Sequence, residues 1–183
     1  LGHACHLTLA QRNQSLLNVR PSTVFIEAPS TMNELLVGQH IMRGTGDPRM
    51  RRWVIMQLLS TYHHNFVRHL LEGELQRRIY ALAEQGAPIT AVTLSETKGR
   101  ILEEFWGGEV EVDDDAKLTW MRQPHYYTGL YPYTYSAGLT VATAVAQAIR
   151  DEGQPAVDRW LRVLKAGGTL RPLELARMAG VDL

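Results

Sequence analysis

The sequence predicts an all-α protein. Apolar residues recur three or four positions apart through most of the chain, the spacing that gives a helix one buried stripe. Glycine and proline separate these segments, and no two segments alternate apolar and polar residues as paired strands do. With 183 residues, 45% of them hydrophobic, the chain is long enough to bury its own core as one domain.

The first half of the chain predicts three helical segments. Apolar spacing predicts a helix over residues 1–17. A second helix starts at Pro29, because a proline in the first turn loses no intrahelical hydrogen bond, and it stops near Gly44. Asp47 can cap the third segment, which runs to about Gln85 as one long helix or as two joined helices.

The second half of the chain predicts four more helices around an acidic and aromatic stretch. Residues 95–106 form a helix that a glycine pair ends, and the acidic run 109–117 is expected to be solvated. An Ala-rich helix follows over 136–152, with small side chains that allow close packing. Two shorter helices are predicted at 155–167 and 172–180.

Charge and cysteine content limit the function classes. Nineteen basic residues balance nineteen acidic ones, so we expect neither nucleic acid nor an anionic membrane as principal partner. Cys5 is the only thiol, which excludes a disulfide within the chain and fits a reducing compartment. No apolar run has the length of a membrane span, and no signal peptide is visible. We therefore expect a cytoplasmic protein.

A pair of histidines near the start of the chain is a candidate metal site. His3 and His6 are three positions apart on a predicted helix, so their side chains lie on adjoining parts of one face. A packed or solvated pair is the commoner outcome of this spacing. Another hypothesis is a metal-binding regulator in which His3, His6 and His40 bind the ion together, and it requires the three imidazoles to converge.

Four segments resemble the zinc metallopeptidases that include oligoendopeptidase F and thimet oligopeptidase. LGHACH resembles the end of that family's H-E-x-x-H motif, with His3 as the second histidine. Glu27 follows His3 by 24 positions in IEAPSTMNE, which is similar to the segment around the family's third zinc ligand. PHYYTGLYPYTYSAG is similar to the His- and Tyr-rich segment, and LRVLKAGGTLRPLELARMAGVDL is similar to the C-terminal end. The resemblance implies that residues 1–183 are the C-terminal portion of the multi-helix catalytic domain of a gluzincin-type oligopeptidase.

The resemblance also implies a chemistry. It makes His3 and Glu27 ligands of Zn²⁺ and places the first histidine and the general-base glutamate of the motif before Leu1. A site with two ligands of three should bind zinc weakly, and without the glutamate the attacking water lacks its proton acceptor. We expect a zinc metalloendopeptidase that hydrolyses short oligopeptides. This chain alone is expected to be inactive, with the N-terminal remainder of the same protein as its partner.

The His- and Tyr-rich segment supplies candidates for contact with the substrate or the transition state. A phenol or imidazole aimed at the scissile carbonyl oxygen would stabilise the charge that develops there. The resemblance favours His125 and Tyr133, because the family's Tyr-x-Tyr best matches Tyr131 to Tyr133. Amphipathic packing is the alternative role for such rings. The candidates are His125, Tyr126, Tyr127, Tyr131 and Tyr133.

Two residues near the candidate ligands have alternative roles. Glu34 lies seven positions after Glu27, so it either supports the metal site by hydrogen bonding or completes a capping box with Thr31. Cys5 points about 200° away from His3 on a helix, which predicts a small core residue.

Other histidines and the surface give the remaining expectations. His63, His64 and His69 lack the H-E-x-x-H order and a carboxylate at the required offset, so a helix-surface or core role is expected. Apolar surface left uncovered by the missing part should drive association into a homo-oligomer. The competing function is a non-enzymatic helical interaction module with a vestigial metal site.

Overall fold

The computed structural model describes residues 1–182, which contain α-helices, shorter helical turns and no strand. The predicted all-α fold class is therefore confirmed. Within this range no helix combines the length and the apolar character that a bilayer span requires. The α-helices are α1 (Gly2–Asn13), α2 (Thr23–Ile26), α3 (Ala28–Gly44), α4 (Pro48–Tyr62), α5 (His69–Glu84), α6 (Ala91–Trp106), α7 (Asp114–Lys117), α8 (Tyr133–Glu152), α9 (Gln154–Ala166) and α10 (Pro172–Met178).

The chain forms two compact units. The first unit comprises Leu1–His64 and Thr134–Leu183, and the second comprises Asn65–Tyr133. The long helical segment predicted from Asp47 to about Gln85 is two helices, α4 and α5, which a π-helical stretch at His63–Arg68 joins in the chain. Each unit has its own buried residues and its own candidate site residues.

The observed helix boundaries agree with the sequence where a capping residue marks the boundary, and they differ elsewhere. The Asp47 side chain accepts a hydrogen bond from the Arg49 backbone N–H at 2.9 Å, which confirms the predicted start of α4. The predicted first helix is shorter, since α1 ends at Asn13 and a 3₁₀ turn follows at Leu16–Asn18. Helix α8 begins at Tyr133, three residues before the predicted start. Tyr133 therefore belongs to the first turn of α8.

In the first unit, α1 packs between α3 and α9. The predicted buried position of Cys5 is wrong, because Cys5 is exposed and the buried residues of α1 are Gly2, His6 and Ala10. A Cβ at Gly2 would lie 2.3 Å from the Pro29 carbonyl oxygen, so only glycine permits this approach to α3. Backbone proximity, and not the apolar stripe, therefore selects the buried face of α1.

Aromatic and aliphatic side chains from several helices fill the core of the first unit. The Phe25 ring of α2 lies 6.2 Å from Trp160 of α9 and 6.4 Å from His6, measured between ring centroids. These contacts fix the short helix α2 and hence the start of α3. The largest fully buried aliphatic side chains of this unit include Met32, Leu139, Val163 and Leu175.

In the second unit, α5 packs against α6. Leu75 of α5 and Ile101 of α6 are both almost fully buried. At the edge of this contact, Arg78 Nη2 lies 2.6 Å from Glu104 Oε2 and connects the two helices. The packing holds the buried polar face of α5 in place, and that face carries part of the site described next.

Candidate active-site residues

The structure brings the two predicted metal ligands of the first unit together. His3 Nε2 on α1 lies 3.4 Å from Glu27 Oε2, in the residue that links α2 to α3. The Glu27 side chain is only 6% exposed, whereas that of His3 is 47% exposed. An imidazole nitrogen and a carboxylate oxygen are donor types that Zn²⁺ accepts. The donor chemistry and the proximity of the pair fit two positions in the ligand set of a zinc ion.

The backbone of Glu27 is held from two sides. Thr31 Oγ1 donates a hydrogen bond to the Glu27 carbonyl oxygen at 3.0 Å. Helix α8 passes so close that a Cβ at Gly138 would lie 2.9 Å from both Ala28 N and the Glu27 carbonyl carbon. Gly138 therefore permits the contact that places Glu27 next to His3.

A metal site built from histidines of the first unit is not supported. Among residues 1–182, no three His, Cys, Asp or Glu side chains are arranged to hold a metal ion, so the His3, His6 and His40 alternative is wrong. His6 is buried beside Phe25, and its Nε2 has no hydrogen-bond partner. Burial, together with the neighbouring His3, lowers the pKa of His6 to about 4. His6 is thus a neutral core residue at physiological pH.

Glu34 does not form the capping box considered from the sequence. The Glu34 carboxylate accepts a hydrogen bond from Thr61 Oγ1, so it connects α3 to α4. Thr31 instead bonds back to Glu27, and no side chain caps the start of α3. The capping alternative is therefore wrong, and a supporting role for Glu34 at the metal site stays a prediction.

The His- and Tyr-rich segment of the second unit forms a cluster of rings. His125 lies in a 3₁₀ turn at Pro124–Thr128. Its ring stacks on Tyr131, with centroids 5.4 Å apart and an interplanar angle of 3°. The His69 ring meets it edge-on, with centroids 5.9 Å apart. The His125 ring is therefore constrained on two sides.

The tyrosines of this segment differ in exposure. Tyr127 is 94% exposed and Tyr133 is 40% exposed, so both reach solvent. The Tyr126 hydroxyl is buried without a hydrogen-bond partner, and burial, aided by the nearby Glu72 carboxylate, raises its pKa. Tyr126 thus fits the packing role, whereas Tyr127, Tyr131 and Tyr133 stay candidates for substrate contact.

Three polar residues surround His125; two of them, Glu72 and Gln123, were missed by the sequence analysis, and the third, His69, was expected only as a surface or core residue. His69, Glu72 and Gln123 are all buried. Glu72 accepts hydrogen bonds from His69 Nδ1 at 3.0 Å and from Gln123 Nε2, and Gln123 Oε1 pairs with His125 Nδ1. The spacing of His69 and Glu72, three residues apart on one helical face, was the available signal.

A cavity of about 610 Å³ lies in the second unit beside the same segment. It is mostly apolar, and its polar lining includes Gln76 and Gln123. A cavity of this size and character can hold a large apolar side chain. Its other lining residues are Leu75, Ile79, Tyr80, Leu94, Trp120, Met121, Arg122, Pro124, Tyr126 and Tyr127.

Known proteins match the chain along its whole length. Residues 1–183 match the family described as Peptidase family M3. Oligopeptidase PepF of Bacillus subtilis is 30% identical over 182 residues, which cover all of this chain and 27% of that protein. An oligoendopeptidase F homolog of Borreliella burgdorferi is 25% identical and is covered over 31% of its length.

A solved structure agrees with these sequence relatives. The crystal structure of oligoendopeptidase-F from Enterococcus faecium has a TM-score of 0.79 and 29% sequence identity, over 99% of this chain and 32% of that one. The helical fold and the family match agree with each other. The chain belongs to Peptidase family M3, and it spans about a third or less of the length of the relatives compared here.

Proposed function

We propose that this chain is part of a cytoplasmic, zinc-dependent oligoendopeptidase that hydrolyses short peptides. The observation that carries the proposal is the approach of His3 Nε2 to Glu27 Oε2 at 3.4 Å. These two residues come from separate helical elements and match the family's ligand positions. The printed names of the relatives, which are oligopeptidases and oligoendopeptidases, support the substrate class. Residues 1–183 then form the C-terminal portion of the catalytic domain.

In this proposal His3 and Glu27 are the two residues of this chain that would hold the metal. The chemistry that a bound zinc ion supplies is polarisation of the scissile carbonyl and acidification of a water molecule. Glu27 would contribute a buried carboxylate oxygen, and the more exposed His3 would contribute an imidazole nitrogen. The remaining histidine and the general-base glutamate come from sequence outside this chain. We therefore propose that this chain alone does not hydrolyse peptides.

The His- and Tyr-rich segment is proposed to bind the substrate. His125 and the Tyr131, Tyr133 and Tyr127 side chains are candidates to donate hydrogen bonds to the peptide carbonyl groups. The adjacent cavity of about 610 Å³ is proposed to accept an apolar side chain of the peptide. The burial of the Tyr126 hydroxyl argues for packing at that position.

The decisive experiment compares this chain with a version that carries an N-terminal helical extension ending in His-Glu directly before Leu1. Zinc per chain is measured after dialysis, and hydrolysis of a quenched fluorescent oligopeptide is followed in the same samples. We expect near-stoichiometric zinc and peptide cleavage only in the extended version. His3→Ala and Glu27→Gln in that version should each remove most of the bound zinc.

His40→Ala is the matched control, because His40 is an exposed histidine on α3 outside the proposed ligand pair. Zinc binding should survive this change. If neither version binds zinc or cleaves peptide, the enzyme proposal fails, and a non-enzymatic helical interaction module takes its place. If His3→Ala leaves zinc binding intact, the proposed ligand assignment is wrong.

A further inference from the structure

Glu72 is a buried carboxylate at the centre of a hydrogen-bond network in the second unit. It is only 3% exposed and lies on α5, one turn after His69. It accepts hydrogen bonds from Arg68 Nε at 3.2 Å, from His69 Nδ1 at 3.0 Å and from Gln123 Nε2. Such a carboxylate is costly to bury unless its charge is compensated, and here several donors compensate it.

The protonation state of Glu72 follows from these contacts. Burial alone would raise its pKa, but the hydrogen bonds from His69 and Gln123, with the nearby charges of His69 and Lys98, lower the pKa below its ordinary value. Glu72 is therefore ionised at neutral pH. An ionised carboxylate only accepts hydrogen bonds, so His69 and Gln123 must each present an N–H group to it.

The direction of the hydrogen bond at Glu72 determines the orientation of the Gln123 amide, and that orientation determines which atom donates at His125. Because the Gln123 amide nitrogen donates to Glu72, its Oε1 faces the His125 ring. An amide oxygen only accepts, so His125 Nδ1 must carry the hydrogen of that contact. Tyr131 stacks on the same ring with nearly parallel planes and limits its rotation. The orientation and the tautomer of His125 are thus both determined by neighbouring residues.

We propose that Glu72 and Gln123 are positioning residues that hold His125 as the Nδ1–H tautomer for its contact with the peptide substrate. In a neutral His125 ring this leaves the lone pair on Nε2, and a second proton can add only there. Nε2 is then the ring atom that contacts the peptide: in the neutral ring it accepts a hydrogen bond from a peptide N–H, and it donates to a carbonyl oxygen only when the ring is protonated. The functional part of this inference rests on the proposed peptidase activity, whereas the tautomer assignment does not.

The tautomer is measured directly by long-range ¹H–¹⁵N correlation of the imidazole nitrogens in this chain, near pH 8.5 where histidine is neutral. The His125 signals are assigned by their loss in His125→Gln. We expect Nδ1 to show the shift of a protonated ring nitrogen and Nε2 that of an unprotonated one. Free histidine prefers the opposite tautomer, so an Nε2–H signal for His125 would overturn the proposal.

Two changes at one position separate positioning from general packing. Gln123→Leu removes the acceptor and should return His125 to the Nε2–H form. In Gln123→Glu, a proton shared with the Glu72 carboxylate takes the place of the amide N–H, and the other carboxyl oxygen still accepts from His125 and should retain Nδ1–H. Gln85→Leu, at an exposed glutamine of the same unit, is the matched control and should leave the His125 spectrum unchanged. If Gln123→Leu retains Nδ1–H, Gln123 does not set the tautomer.

The functional part is read in the N-terminally extended version that contains the whole histidine–glutamate motif. There Gln123→Leu should lower kcat/KM for the fluorescent peptide by about tenfold or more, with zinc content unchanged, and Gln123→Glu should recover most of it. Unchanged kcat/KM in a variant whose tautomer has switched would refute the positioning role. Absence of hydrolysis in the unsubstituted extended version would instead refute the proposed function, and the tautomer measurement would still decide the assignment.

Discussion

Replacing Gly138 by alanine tests whether close packing of α8 holds the candidate ligand Glu27. A Cβ at this position would lie 2.9 Å from Ala28 N, from the Glu27 carbonyl carbon and from Glu27 Cβ. Two of these three are backbone atoms, so rotating a side chain cannot relieve the overlap. Either α8 or the Glu27 segment must move, and a movement of Glu27 changes its distance from His3.

The expected size of the effect follows from two opposing contributions. Alanine in place of a helical glycine stabilises by about 1 kcal/mol, whereas overpacking a tight contact costs about 1–3 kcal/mol, here at the upper end because backbone is involved. We therefore expect Gly138→Ala to lower the free energy of unfolding by about 1–2 kcal/mol. Gly73→Ala on α5 is the matched control, since its Cβ would meet atoms of Tyr133 at 3.5 Å or more, which are ordinary contacts. That change should raise the free energy by about 0.5–1 kcal/mol.

Urea unfolding followed by far-ultraviolet circular dichroism measures both variants against the unsubstituted chain. Zinc affinity is then measured by chelator competition in the N-terminally extended version, where Gly138→Ala should weaken binding and Gly73→Ala should not. The reasoning is refuted if the two variants are equally stable. It is also refuted if Gly138→Ala keeps full zinc affinity.

Two further predictions concern stability. Because hydrogen bonds outweigh burial and lower the pKa of Glu72 below 4.5, the unfolded chain takes up this proton at a higher pH than the native chain does. The stabilisation is full above pH 4.5 and is lost as the pH falls through the native pKa of Glu72. Glu72→Gln should therefore weaken the fall of the urea midpoint with decreasing pH. The same fall in the variant and in the unsubstituted chain would contradict this prediction. Asp47→Ala should cost about 1 kcal/mol by removing the cap on Arg49 N–H, while Asp47→Asn should cost little, and equal stability of the two variants would exclude the cap.

The parts of the fold that depend on local signals were predictable from the sequence. Asp47 marks the start of α4, and the absence of alternating apolar patterns led to an all-α class that the structure confirms. The buried face of α1 was predicted wrongly because its packing depends on Gly2 and His6, which an apolar count ignores. Whether the long central segment was one helix or two could not be decided either. The π-helical stretch His63–Arg68 that divides it has no breaking glycine or proline.

The candidate site also contains residues that the sequence could predict and residues that it could not. His3 and Glu27 were predicted as ligands from the resemblance to a known family, and the structure brings them within 3.4 Å of each other. The partners of His125 were not recognised, because Gln123 and Glu72 are 51 positions apart and only the fold brings them into contact. A lone glutamine has no spacing rule that would single it out. His69 and Glu72 do have such a spacing, but a histidine and a glutamate three positions apart on a helix do not form a metal motif.

Different physical requirements apply to the residues that would bind the metal and to the residues that position them. The first must carry a donor atom, and the second must fit the available space. Coordination chemistry restricts a ligand to a few residue types, so a family resemblance is enough to propose His3 and Glu27. Gly138 contributes no donor atom, and its constraint is only that no side chain fits between α8 and the Glu27 backbone. A variant with alanine at that position would retain every motif in the sequence and still move a candidate ligand. In this chain the presence of His3 and Glu27 therefore does not by itself guarantee the geometry of the candidate site, which also depends on the absence of a side chain at position 138.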